Sequence, residues 1–581
     1  MTKLPDQRLR LILVLSSLAF AVVVSRAVYI QVVQASALAA QAHGQQNSTI
    51  IVPTSRGRIL DSAGQPFAQD VAAKDLMVHP AEVQDPVQTA SFIAQALGYT
   101  PKHRKALLRE VNLLVPRLTP PGNIVEARVI PQLDSAIAAK IMASKPPGLF
   151  VTDSVRRDYP TRRQASQLLG YTDFTNSGSD GAGIERQYNS VLTGRPGERL
   201  EVQGPDGLPL DTITLRRPRP GRDVQLTINR AIQAKVQSVI DGTVQQFHAH
   251  SATAIVLNPK TGEILAMASS PGYDNNRVHD LPARRFHDAT QNMAVEYSYE
   301  PGSTFKVVTM AAALTDHIVY PWTRFNNLPY QIQVGDKVVH DDAPRGPKDF
   351  TVRQILQESS NVGTVTIARM AGRTLLSKWI DRFGFGHTTG VHLPGEAPGI
   401  LLPPDKWYDS SIGNIPIGQG IAVTPMQMAA MYSAIANGGV LVQPHVVKRI
   451  EGEAKPGVSS RRILDAGIDR ELVNMLKGVV DTATGTGVRA RIPGYTVAGK
   501  TGTAQKALAH GLGYSTRNYV ASFVGFLPAD DPQVEVLVVV DSPRGNIFGG
   551  YVAAPAFKDI ATSLTQLLAI PPDRPITQSA A

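Results

Sequence analysis

The chain has 581 residues, enough for about three to four domains, and its 43% hydrophobic and 18% charged residues describe a folded protein rather than a disordered one. It contains no cysteine, which excludes disulfides, thiolate metal sites and cysteine nucleophiles. The net charge of +10 is scattered along the sequence; it suits an anionic membrane or wall surface and leaves no concentrated footprint for nucleic acid.

The first predicted element is a membrane anchor over 11–33. Residues 11–24 are apolar and uncharged, and the apolar character resumes after Arg26 as far as Val33. This is long enough to span a bilayer. Lys3, Arg8 and Arg10 precede the span, which predicts a cytoplasmic segment 1–10 and an extracytoplasmic remainder. Arg26 is placed to snorkel to the outer interface. Ala35-Ser36-Ala37 and Ala37-Leu38-Ala39 imitate cleavage sites but lie too far beyond the apolar core, so the anchor is expected to stay uncleaved.

An Ala/Gln-rich helical stalk is predicted over 34–47. From 48 to 215 short strands alternate with amphipathic helices near 87–97, 102–112 and 132–144. Residues 199–210 read as a hairpin with an Asp206-Gly207 turn, and the Pro/Arg-rich stretch 216–222 as a domain linker. Beyond it, Lys260-Thr261-Gly262 separates two apolar runs as a hairpin turn.

Glu300-Pro301-Gly302-Ser303-Thr304-Phe305-Lys306 opens the apolar run 307–314. Helical spacing puts Ser303 and Lys306 on one face, and burial favours a neutral lysine able to act as a base. The Ser-x-x-Lys pattern is loose, expected roughly once or twice by chance in a chain this long, so its neighbours decide. His340-Asp341-Asp342 has no partner at metal-ligand spacing and reads as a polar loop. Ser359-Ser360-Asn361 falls in a helical-looking segment, 351–368. Residues 418–425 and 436–439 read as packing and turn elements. Lys500-Thr501-Gly502-Thr503 follows a strand-like run-in, 495–499. Strands over 518–526 and 534–540 are both expected to flank it in an antiparallel sheet. A last helix over 553–568 covers that sheet, and 571–581 form a tail.

The ordered triple Ser-x-x-Lys, Ser-x-Asn, Lys-Thr-Gly resembles the signature of active-site-serine penicillin-binding proteins and related β-lactamases. Over nearly its whole length the chain resembles a class B penicillin-binding protein, a membrane-anchored peptidoglycan D,D-transpeptidase. Lys260–Gly262 precedes the nucleophile and so falls outside that order. Arg56 to Asp61 with Gly64 resembles the first box of the family's pedestal domain, with Ser62 where an arginine is common. Gly183, Ile184, Glu185, Tyr188, Leu192, Gly194 and Gly197 resemble a second box. Gly221, Asp223, 226–228 and Gln233 resemble a third, with Asn229 for a usual aspartate.

The resemblance implies a multidomain α/β fold: a transmembrane helix, an α+β pedestal over 34–222 and a transpeptidase domain over 223–570, whose central antiparallel sheet is flanked by helices. It implies that Ser303 is the nucleophile, Lys306 its base and Ser359 the proton donor to the leaving D-Ala. Asn361 would orient the substrate amide and Lys306. Lys500, Thr501, Gly502 and Thr503 would bind the terminal carboxylate, with the N–H groups of Ser303 and Thr503 as oxyanion hole. Substrates would be stem peptides ending in D-Ala-D-Ala plus an acceptor amine, with β-lactams as inhibitors and neither cofactor nor metal. Residues 492–500 and 549–557 look more like the septal than the elongation subgroup, which implies divisome partners and a polytopic glycan polymerase. An elongation-type enzyme, a β-lactamase and a β-lactam-sensing or scaffold protein are the alternatives.

Overall fold

The structure is a computed structural model describing residues 4–35, 47–122, 124–144, 146–172, 181–203, 209–508 and 513–575. The predicted stalk, the Asp206-Gly207 turn, Lys3 and the end of the tail lie mostly or wholly outside these residues.

The chain forms two compact bodies, one of residues 1–55 and 194–221, the other of residues 56–193 and 222–581. In the first, an α-helix Leu4–Val28 continues as a π-helical turn, Tyr29–Val33. Its 26-residue stretch Arg8–Val33 is long and apolar enough to cross a membrane. The Arg26 guanidinium stands 5.4 Å from the Tyr29 ring, an amphipathic pairing of the kind found at membrane interfaces. Strands Asn47–Val52, Gly197–Gln203 and Pro209–Arg216 form an antiparallel sheet in that order.

In the second body, strands Ile59–Leu60, Pro66–Val78, Ala127–Asp134 and Leu149–Asp158 share a sheet with Val224–Leu226 and Val447–Ile450. Helices Pro86–Ala96, Arg104–Leu118 and Ser135–Met142 pack beside it around Ile93, Leu114 and Ile141. Asp85 starts the first of these by accepting from the N–H groups of Val87 and Gln88, with Pro86 preset at N1. The three resembling boxes meet here. Glu185 accepts from Arg56 and Arg157, each at 2.7 Å, and Arg58 pairs with Asp223 at 2.6 Å. Burial pushes the Glu185 carboxyl up, but Arg157 and Arg56 outweigh it and hold it below the ordinary value. Asn229 caps the helix Arg230–Gln246, and the Ser62 carbonyl accepts from Gln225 and Lys448.

The remainder of this body is built on five antiparallel strands: β1 Ser251–Leu257, β2 Ile264–Ser270, β3 Ala498–Ala507, β4 Tyr514–Leu527 and β5 Val534–Asp541, in the order β2-β1-β5-β4-β3. The β1–β2 connection is the Lys260–Gly262 turn, with Gly262 at φ +75°. Only β4 flanks the Lys500 strand. The 534–541 strand, expected beside it, pairs with β4 and β1 instead. Its residues are buried throughout, which demands a central position covered on both faces. Val536, Val538 and Val540 pack with Phe557 and Ile560 on one face, while Leu537 and Val539 join the larger core on the other. The polar-bearing β3 is left at the sheet edge.

Helices of the frame include α1 Lys306–Thr315, α2 Asn361–Arg382 (kinked at Gly372), α3 Pro425–Ala436 and α4 Gly549–Leu567. The segment 351–368, expected as one helix, is two. Thr351 opens Val352–Gln357 with a capping box, and Ser360 starts α2 by accepting from Gly363 N–H. Ser359 lies in the break between them at φ +61°.

Candidate active site

Ser303 sits in a 3-10 turn, Gly302–Phe305, that feeds directly into α1. Gly302 adopts φ +57° and donates its N–H to the Gly418 carbonyl at 3.0 Å, while a Cβ on it would meet the Thr503 carbonyl at 2.8 Å. Thr304 Oγ1 donates to the Pro301 carbonyl, and the buried Tyr432 hydroxyl donates to the Thr304 carbonyl, each at 2.8 Å. These contacts fix the turn against its neighbours. Ser303 itself is half-buried, and its hydroxyl makes no hydrogen bond among the described residues.

One helical turn on, Lys306 is wholly buried. Its Nζ donates to the Ser359 carbonyl at 2.5 Å, Ser359 Oγ at 3.1 Å and Asn361 Oδ1 at 2.6 Å. The amine therefore faces the Ser-x-Asn segment rather than bonding to Ser303. Burial pushes its pKa down to about 8, with Asp342 and Asp341 opposing the shift. Close to neutrality, such an amine exists in part as the free base.

From β3, Lys500 reaches the same hydroxyl: its Nζ donates to Ser359 Oγ at 2.9 Å and to the Thr501 carbonyl at 3.2 Å. Burial pushes this lysine well below its ordinary value, and the charge of Lys306 adds to the effect. Ser359 Oγ thus accepts from two lysine amines, which occupy its lone pairs and direct its own proton elsewhere.

The remaining predicted residues adjoin these. Thr501 Oγ1 and Thr486 Oγ1 are 2.7 Å apart, and Thr503 Oγ1 accepts from Gly549 N–H at the start of α4 at 3.1 Å. Gly502 lies where β3 passes the serine turn. A Cβ there would meet Ser522 Oγ at 2.3 Å and the Pro301 carbonyl at 2.9 Å. Ser303, Lys306, Ser359, Asn361 and Lys500 through Thr503 are thus drawn together around the edge of the sheet.

Sequence reasoning read His340-Asp341-Asp342 as a polar loop and missed that the 340–345 segment braces this cluster. Asp341 is buried, pairs with Arg345 at 2.5 Å, and accepts from Ser360 Oγ and Val362 N–H, each at 3.0 Å. Asn361 Nδ2 donates to the His340 carbonyl at 2.9 Å and to Asp342 Oδ1 at 3.2 Å. The only signal was two aspartates close before a Ser-x-Asn, which is weak without the fold. Glu300 was likewise passed over. It accepts from Gly420 N–H and from the Tyr514 hydroxyl, and burial raises its carboxyl above the ordinary value.

Residues 252–562 match the penicillin binding protein transpeptidase domain, and residues 51–226 the penicillin-binding protein dimerisation domain. The chain is 33% identical over 571 residues to a protein of Pseudomonas aeruginosa named probable peptidoglycan D,D-transpeptidase PbpC, covering 98% of this chain and 96% of the relative. It is 30% identical to peptidoglycan D,D-transpeptidase FtsI of Escherichia coli, covering 96% and 91% of the two chains. Among solved structures, penicillin binding protein 3 of Mycobacterium tuberculosis complexed with aztreonam superposes with a TM-score of 0.68 at 28% identity, covering 92% of this chain and all of that one. With a match this long to relatives this similar, the chain belongs to the penicillin-binding protein transpeptidase family, in the branch that carries a dimerisation domain ahead of the catalytic one.

Proposed function

We propose that the chain is a peptidoglycan D,D-transpeptidase that cross-links stem peptides through an acyl-enzyme on Ser303. One observation carries the reading: a single hydroxyl, Ser359 Oγ, lies between two buried lysines, 3.1 Å from Lys306 and 2.9 Å from Lys500, beside the edge strand β3 and the Ser303 turn. In the first half-reaction neutral Lys306 takes the Ser303 proton, and Ser303 Oγ attacks the penultimate D-Ala carbonyl. The oxyanion is held by the N–H groups of Ser303 and Thr503. Ser359, its proton directed outward by its two donors, protonates the departing D-Ala. Lys500, Thr501 and Thr503 hold the terminal carboxylate, Gly502 lets β3 approach the serine turn, and Asn361 positions both Lys306 and the donor amide. In the second half-reaction an amine from a neighbouring stem peptide takes the acyl group.

The anchor 11–33 would hold the pedestal 34–222 and the transpeptidase domain 223–570 outside the cytoplasmic membrane, with 1–10 inside. The septal-type segments at 492–500 and 549–557 favour work at the division site, beside a glycan polymerase and other divisome proteins. Fluorescent penicillin tests the chemistry: wild type should carry a slowly released label, and Ser303→Ala none. Full-rate labelling of Ser303→Ala would overturn the assignment, and rapid release would indicate a β-lactamase. A fluorescent fusion should gather at midcell, and a lateral-wall pattern would favour the elongation reading.

A further inference from the structure

Three cationic or potentially cationic nitrogens meet in the proposed second half-reaction: Lys306, Lys500 and the acceptor amine. Nothing in the proposed machinery yet offsets the third. Asp341 is spent, being buried and paired with Arg345 at 2.5 Å. Asp342, its neighbour, is exposed and has no cationic partner within ion-pair distance among the described residues. It is nevertheless fixed at the centre, because its Oδ1 accepts at 3.2 Å from the Asn361 amide whose other end accepts from Lys306 at 2.6 Å. Its field reaches both Lys306 and Lys500, favouring the charged form of each. This carboxylate, anchored to the Asn361 amide by one oxygen and open to solvent, is free to meet a second substrate.

We infer that Asp342 is the acceptor-binding residue, a fixed carboxylate that attracts the incoming primary amine and stabilises the positive charge growing on its nitrogen. The inference rests on the acyl-enzyme reading above. The neutral amine forms the C–N bond to the acyl carbon, which leaves its nitrogen positive and the carbonyl oxygen negative. One nitrogen proton passes to neutral Lys306 and from there to Ser303 Oγ as the C–Oγ bond breaks, leaving an amide and a free serine. Water attacking the same carbon sheds its proton as it attacks and builds less positive charge. Asp342 therefore favours transfer over hydrolysis. Both fates use the same acyl-enzyme and the same Lys306, so their ratio isolates this effect from any change in the lysine.

The test uses the full chain in detergent with an N-acyl-D-alanyl thioester as donor and glycinamide as acceptor, measuring amide and acid products together. Asp342→Asn should lower the amide-to-acid ratio by about five-fold or more, as loss of one nearby charge in a partly screened site predicts, and Asp342→Glu should stay within about two-fold of wild type. Acid-quenched mass spectrometry of each variant reports the Ser303 adduct. An unchanged ratio in an Asp342→Asn protein that forms the adduct overturns the inference, and so does an Asp342→Glu ratio as low as that of Asp342→Asn, which would make side-chain shape the cause. If wild type forms no adduct on Ser303, the acyl-enzyme reading itself fails and the role of Asp342 falls with it.

Discussion

Ser359 holds a left-handed backbone conformation, φ +61°, that favours glycine or asparagine over serine. Glycine would relax the backbone but remove the hydroxyl shared by Lys306 and Lys500. The position therefore tolerates backbone strain on the order of 1 kcal/mol in exchange for one oxygen between two amines. The same enclosure lowers Lys306, and the sign of its effect on rate follows. The base is the neutral form, so acylation should rise with pH through about 8. A stopped-flow series with a chromogenic cephalosporin is expected to show about a tenfold gain between pH 7 and pH 9, with Lys306→Gln both slow and flat over that range. A wild-type rate that falls across this interval would remove Lys306 from the role of base.

Among the elements, β3 and the serine turn depend most closely on each other. Their separation is set by Gly502, where a methyl would press on Ser522 Oγ and the Pro301 carbonyl. Gly502→Ala should leave the sheet folded but displace Ser303 from Lys500 and Thr503, lowering the acylation rate by about 100-fold with a much smaller change in unfolding temperature. Second-order labelling kinetics beside a thermal melt would separate the two effects. Local sequence announced these elements well where chemistry and spacing coincide: Ser303 with Lys306, Ser359 with Asn361 and Lys500 with Thr503 are all visible as short patterns. It was silent where function arises from chain closure. Asp341, Asp342 and Arg345 have no periodic pattern, and their meaning depends on a loop folding back onto the start of α2. The order of the strands was hidden for a related reason. An all-buried run such as Val534–Asp541 announces burial on both faces but does not name its two neighbours. The break at Ser359 was missed because helix-forming residues lie on both sides, and only the second cap, Ser360, marks the interruption.

At the scale of the molecule, Arg56, Arg157 and Glu185 tie three segments together around a buried carboxylate, Arg56 lying 129 residues from Glu185 and Arg157 lying 28 residues from it. Replacing Glu185 by Gln removes the carboxylate that pairs with buried Arg56 and leaves buried Arg157 only Asp70, at 3.1 Å, so it should destabilise the body by about 3–5 kcal/mol at pH 7. The held-down Glu185 carboxyl contributes stability that is fully present above pH 4.5 and is lost as pH falls through its folded value. The gap between variant and wild type should therefore narrow in acid, as urea unfolding at pH 7 and pH 3.5 would reveal; a gap that widens in acid would disprove the linkage.

The same patch has a mechanical side. The chain passes between its two bodies at three points, after Ser55, after Thr193 and after Gly221. On the catalytic side all three passages are riveted together. Arg56 donates to the Thr193 hydroxyl at 2.8 Å, Gly57 N–H to the Leu192 carbonyl at 2.8 Å, and Arg222 N–H to the Val191 carbonyl at 3.0 Å. Within this body the three passages are thus fastened to one another, so that loosening any one strains the bonds of the other two, far along the chain from Ser303, the proposed nucleophile.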